Sequence, residues 1–271
     1  MATDIHSPKH KNFIMTQFID THSHLYDNDF ISDLPEVIER AKESKVLRCI
    51  LPAVDKSCQQ SLMDTASGYP GTLFPSAGLH PTSVGESWEE ELEFVYETAA
   101  ANKYIAIGEI GMDGYWSKDF LSQQAIVFEK QIELAVRLNL PVIIHSREAT
   151  EEIFKVLEKC RHLNVKGVFH AFSGSYETFC RIQKTGNFLV GIGGVVTFKK
   201  ASLAETVKKI GLENIVLETD APWLAPAPFR GKRNEPSYIG IIAQKLSELL
   251  EKDIDEVAEK TTGNAQRLFN L

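Results

Sequence analysis

Along the chain, short β-branched runs alternate with longer segments in which apolar residues recur every third or fourth position. Eight of the short runs read as strands: Phe18 to Asp20, Leu47 to Ala53, Leu73 to Gly78, Tyr104 to Glu109, Val142 to His145, Gly167 to Phe169, Phe188 to Gly191 and Ile215 to Thr219. Between them, patterns such as Leu34, Val37, Ile38, Ala41 and Phe128, Ile132, Leu134, Ala135, Leu138 predict amphipathic crossover helices. Beyond the last strand the pattern predicts helices over Tyr238 to Leu250 and Ile254 to Lys260, and a short closing helix around Asn264 to Phe269. Regular strand–helix alternation specifies parallel βαβ units rather than a sandwich. Eight such units fill the ~250 residues typical of a (β/α)₈ barrel. The expected fold class is therefore α/β, a single-domain (β/α)₈ TIM barrel over residues 16–271, preceded by a loose polar tail over 1–15. A doubly wound open sheet is the second choice.

Composition narrows the function classes. With 43% hydrophobic residues in 271, the chain can bury a substantial core. No apolar run approaches the ~20 residues needed to cross a bilayer, so no membrane partner is expected. Cys49, Cys58, Cys160 and Cys180 form no Cys-x-x-Cys pair, which points away from a zinc ribbon or disulfide framework and toward a reducing, cytoplasmic setting. A formal charge of −8 gives no global attraction to nucleic acid. Binding of a polyanion would have to rest on a local basic patch or on bound cations. No obligate protein partner is expected.

The informative feature is where His, Asp and Glu fall relative to the strands. His22 and His24 follow strand one, Glu109 ends strand four, His145 strand five, His170 strand six, and Asp220 follows strand eight. In a parallel barrel these C-terminal strand ends converge on one face, so the expected fold carries a strand-end metal site. The His-x-His spacing puts two imidazoles on one side of an extended segment. A lone strand-end histidine is more often hydrogen-bonded structure than ligand, but six coincident placements outweigh that reading. Four imidazoles and two carboxylates suit a pair of divalent ions of the Mg, Mn or Zn class, with Glu109 able to bridge them at ~3.5–4 Å. Other chemistries lack their signatures. Gly191-Ile192-Gly193-Gly194 does not have dinucleotide-binding spacing, and Ser173 does not sit in a nucleophile elbow.

These residues resemble the TatD-like deoxyribonucleases, metal-dependent hydrolases built on such a barrel. The resemblance runs from Phe18 to Leu271. It is carried by Asp20-Thr21-His22-Ser23-His24-Leu25, Gly78-Leu79-His80-Pro81, Gly108-Glu109-Ile110-Gly111-Met112-Asp113 and Pro141 to Arg147, then by His170 to Gly174, Glu218-Thr219-Asp220-Ala221-Pro222 and Arg230 to Pro236. It implies that His22, His24, Glu109, His145, His170 and Asp220 hold divalent ions, and that the reaction is phosphodiester hydrolysis, acting on DNA from single-stranded 3′ ends. Asp220 is the expected base that orients or deprotonates the attacking water, with Glu109 the central shared ligand. His80, Arg147, Arg230, Lys232 and Arg233 are the candidate substrate contacts. Tyr115, Trp116, Phe172, Trp223 and Phe229 are candidate stacking groups. Ser23 and Ala171 stand where the family often has Cys, and Gly114 where an aromatic is common; none of these removes a ligand. Amide or ester hydrolysis, including removal of D-amino acids from tRNA, is the second reading, and a non-catalytic metal-binding protein the third.

Overall fold

The computed structural model describes residues 16–101, 103–199 and 202–271. The expected tail, 1–15, lies outside the described residues. Eight strands and nine α-helices follow one another among these residues: β1 Phe18–Asp20, α1 Leu34–Glu43, β2 Val46–Leu51, α2 Gln59–Gly68, β3 Leu73–Pro75, α3 Trp88–Ala101, β4 Ile107–Asp113, α4 Leu121–Leu138, β5 Val142–Arg147, α5 Thr150–Cys160, β6 Lys166–Phe169, α6 Tyr176–Thr185, β7 Asn187–Ile192, α7 Leu203–Ile210, β8 Ile215–Leu217, α8 Ile239–Leu250 and α9 Ile254–Phe269. All strand pairs are parallel, forming the arcs β1-β2-β3 and β4-β5-β6-β7-β8. Backbone bonds join the arcs into a barrel. At one seam Ala77 bridges Ile107, and the Gly108 N–H donates to the Ala77 carbonyl at 2.8 Å. At the other, Ser23 bridges Ala221, the Thr21 N–H donates to the Leu217 carbonyl at 3.0 Å, and the Asp220 N–H donates to the His22 carbonyl at 2.8 Å.

Side-chain alternation along the strands builds two apolar layers. One set, including Val142, Ile144, Phe169, Val190 and Leu217, packs outward against the helices with Val37, Ile38, Phe128, Ile132 and Ile242. The other, including Ile19, Ile50, Ile143, Val168 and Val216, fills the barrel interior and meets Ala265 and Phe269 of α9. The interior parity carried two residues further reaches His145 from Ile143, His170 from Val168 and Glu218 from Val216. The same strands thus hold a dry floor below and chemistry above.

Several strand ends shift, with β3 stopping at Pro75 rather than Gly78 and β5 running on to Arg147, and two elements differ more. The predicted helices over Ile254 to Lys260 and Asn264 to Phe269 are one continuous helix, α9. Gly263 in its middle costs about 1 kcal/mol of helix propensity, but burial of Val257, Ala258, Thr261 and Ala265 outweighs that cost. Buried Asn264 also donates to the Leu212 and Ile215 carbonyls at 2.7 and 2.8 Å, tying the helix beneath β8. Strand β4 runs over Ile107–Asp113 rather than Tyr104 to Glu109, so Glu109 lies inside the strand and Asp113 ends it. Its register with β5 shifts between Ile107 and Ile110, both of which face the outer layer. This irregularity turns Glu109 inward, a re-aiming typical of bulges beside functional sites.

Candidate metal centre

Glu109 is the hub. Its Oε2 lies 3.2 Å from His22 Nε2 and 3.7 Å from His24 Nε2. Its Oε1 lies 2.8 Å from His170 Nε2, 2.9 Å from His145 Nδ1 and 3.3 Å from His80 Nε2. Asp220 Oδ1 completes the first side, at 3.6 Å from His22 Nε2 and 3.8 Å from His24 Nε2. All six expected ligands therefore converge, and one carboxylate separates them into two groups. His22 and His24 bring their Nε2 atoms to within 3.1 Å of each other, as the His-x-His spacing requires.

Tautomers can be read from the outer partners. The Tyr26 hydroxyl donates to the Pro52 carbonyl at 2.6 Å, so its oxygen is free to accept from His24 Nδ1–H at 2.9 Å, leaving Nε2 as a lone pair for a cation. Asp113 Oδ2 accepts from His145 Nε2–H at 2.9 Å, while Nδ1 faces Glu109 Oε1 at 2.9 Å. Asp113 Oδ1 also accepts from the Tyr115 and Trp116 N–H groups at 2.8 and 3.2 Å, coupling this imidazole to the loop after β4. Asp113 closes a sequence motif without an expected role of its own; only its position beyond Glu109 on the same strand could have pointed to one.

The electrostatics fit divalent cations. Among the described residues no Lys or Arg is ion-paired to Glu109, which is 3% exposed and surrounded by imidazoles. Burial favours neutral His22 and, with help from His170, lowers its pKa to about 4. Burial acts the same way on His170, but Glu109 outweighs it and raises that pKa to about 10. Burial raises Asp220 to about 7; His170 opposes the rise and Glu109 adds to it. Opposed shifts within one buried cluster are characteristic of a functional site. Four imidazoles with two carboxylates form a donor set for ions of the Zn or Mn class.

The mouth differs from the centre. His80, expected to end strand three, lies in the loop beyond β3 and caps the turn at Pro81–Ser83, with Thr82 N–H donating to its Nδ1 at 3.2 Å. Its Nε2 still reaches Glu109. Arg147 ends β5, exposed, with its guanidinium 3.6 Å from the Tyr115 ring centroid. Arg230 covers the Phe198 ring at 4.1 Å, and Lys232 sits 5.8 Å from the Phe229 ring. Arg233, expected as a substrate contact, has its fork engaged inside the protein: it donates to Asp33 at 2.7 and 2.8 Å and to the Asp29 carbonyl at 2.6 Å.

Of the aromatic candidates, Phe172 is buried and Phe229 stacks on Tyr238 at 4.6 Å, whereas Tyr115, Trp116 and Trp223 are exposed. Trp223 places its ring edge-on to the His24 imidazole at 5.0 Å. A Cβ on Gly114 would lie 2.6 Å from the Glu148 carbonyl oxygen, so the loop's aromatics stand at the two following positions. Beside His170 a cavity of about 290 Å³ opens between α5 and α6, lined by Arg147, Ser146, Thr150, Phe154, Phe172 and Ser173 among others.

Comparison with known proteins bears on this arrangement. A family model described as TatD related DNase matches residues 19–270. The uncharacterized metal-dependent hydrolase YabD of Bacillus subtilis is 42% identical over 253 residues, covering 93% of this chain and 98% of that protein. The 3′-5′ ssDNA/RNA exonuclease TatD of Erwinia tasmaniensis is 32% identical over 253 residues, covering 91% and 97%. The crystal structure of YjjV, a TatD homologue from Escherichia coli, superposes with a TM-score of 0.85 at 29% identity, covering 94% of this chain and 99% of that one.

Proposed function

The chain belongs to the TatD-related DNase family of metal-dependent hydrolases, and from that premise we propose that it hydrolyses DNA phosphodiesters, trimming single-stranded 3′ ends. Two divalent ions, Mg, Mn or Zn, would be held by His22, His24, Glu109, His145, His170 and Asp220. The observation that carries this reading is the Glu109 carboxylate, whose two oxygens face two separate groups of imidazoles. When bound, the ions supply Lewis-acid neutralisation of phosphoryl charge and acidify water. Asp220, whose carboxylate lies beside His22 and His24, is the residue that would orient the attacking water or take its proton. His80 and Arg147 stand at the rim, where they meet the phosphate, while Arg230 and Lys232 hold more distant backbone.

Free cysteines at all four positions support a reducing, cytoplasmic location. No helix among the described residues is long and apolar enough to cross a membrane.

The test is one purified sample, stripped of metal and then supplied with Mg²⁺, Mn²⁺ or Zn²⁺, assayed on 3′- and 5′-labelled single-stranded DNA. Ion-dependent release of nucleotides one at a time from the 3′ end is expected. Intact oligonucleotides alongside cleavage of aminoacyl-tRNA or a cyclic amide would replace this reading with amide or ester hydrolysis.

A further inference from the structure

A histidine that binds a metal through one ring nitrogen carries a proton on the other, and that N–H needs an acceptor. Tyr26 serves His24 and Asp113 serves His145. His22 and His170 stand apart: their Nε2 atoms face Glu109, and both buried Nδ1 atoms lack a hydrogen-bond partner in the protein. Their rings are stacked, with centroids 3.8 Å apart and planes 12° from parallel. One carboxylate lies behind them. Glu218, fully buried just past β8, has its Oε1 3.8 Å from His170 Nδ1, and its other oxygen, Oε2, is without a partner. A ring nitrogen of each histidine and a Glu218 oxygen all lie within 4.8 Å of one another.

Two further details show that the fold makes room for this carboxylate and fixes it. A Cβ on Gly191 of β7 would lie 2.0 Å from Glu218 Oε2, so only glycine leaves the space. The Ala171 N–H, immediately after His170, donates to Glu218 Oε1. Ala171 itself has φ of 46°, a left-handed conformation uncommon outside glycine that this bond helps to hold. The remaining Oε2 is the acceptor left over.

We propose that Glu218 is a positioning residue that receives the Nδ1–H of both His22 and His170, through a shared buried water where the separation exceeds direct contact, and so fixes the tautomers of one ligand at each ion. The two ion sites are then coupled twice, by Glu109 in front and Glu218 behind. A buried water holding three polar partners is an ordinary structural element. The inference rests on the two-ion reading above.

Titration of metal-free protein with Mn²⁺, without nucleic acid, separates the two ideas. Wild type should take up two ions per chain; if it takes up none, the ion reading fails. Glu218→Gln keeps the volume and an acceptor for Ala171 N–H but turns an NH₂ toward the imidazoles. It should keep the wild-type thermal midpoint in metal-free protein yet bind both ions 10–100-fold more weakly. Glu218→Ala should weaken binding at least as much, and Gly191→Ala should mimic it by displacing the carboxylate. Histidine ¹H–¹⁵N correlations of the loaded protein should show Nδ1–H on His22 and His170 in wild type. Folded Glu218→Gln with wild-type affinity at both ions would overturn the proposal. So would weakening confined to one ion, which would make Glu218 a partner of that ligand alone.

Discussion

The barrel centre and the barrel mouth obey different physics. At the centre the chemical groups sit on or next to a strand and are largely buried, and several are held by a second residue: His24 by Tyr26, His145 by Asp113, Asp20 by the Thr219 N–H at 2.9 Å and by the Thr219 hydroxyl. At the mouth the charged groups are exposed or already committed, Arg233 to Asp33 and Arg147 to the Tyr115 face. A misplaced atom at the centre leaves a buried charge unpaired, whereas one at the mouth is replaced by water. The centre should therefore be intolerant of substitution and the mouth forgiving.

The largest effect tests the centre directly. Glu109→Ala removes the carboxylate shared by both groups of imidazoles and should lower kcat/KM by about 10³-fold or more, the rate equivalent of several kcal/mol. Metal analysis of the same protein should show fewer than two ions. Normal turnover in this variant would break the contrast at once.

Next comes the support behind a ligand. Asp113→Asn keeps the shape but weakens the hold on His145 Nε2–H, and a loss of about 10–100-fold in metal affinity is expected from calorimetry. If affinity is unchanged, the centre is less finely held than its geometry implies.

Protons sharpen the comparison. Burial lowers the His170 pKa, but Glu109 outweighs it and raises it to about 10 in the metal-free protein, so uptake of a cation at its Nε2 would displace a proton. Apparent affinity should therefore rise with pH, about tenfold per unit for one displaced proton, through the range below that pKa. Calorimetry in buffers of differing ionisation enthalpy reads the released proton directly. No release at pH 7 would contradict the assigned charge state.

The smallest effects belong to the mouth. Replacing Arg230 and Lys232 by Ala should flatten the salt dependence of single-strand binding by about 0.7 for each phosphate that is no longer neutralised, with KM rising more than kcat falls. Arg233→Ala should leave that slope alone and instead cost about 1 kcal/mol of stability, read as a melting shift of roughly 2–4 °C. An altered slope with unchanged melting would return Arg233 to the substrate surface.

The sequence by itself determined the eight strands, the α/β class and the ligand types, because period and composition are local properties that each segment carries with it. His22, His24, Glu109, His145, His170 and Asp220 were legible as a candidate set because parallel strands must end on one face. Tertiary structure decided the rest. The bulge that turns Glu109 inward arises from the register between β4 and β5, and the place of Asp113 follows from it. The continuity of α9 through Gly263 comes from burial against β1 and β8, which no local propensity contains. The exchange of Arg233 from rim to structural pair depends on Asp33, two hundred residues away in the chain. The partners of Glu218 became readable only once Gly191, Ala171 and the two histidines just past β1 and β6 were seen around it. Such outcomes turn on which distant groups meet in a low-dielectric interior, where an unpaired polar atom is costly enough to select its partner.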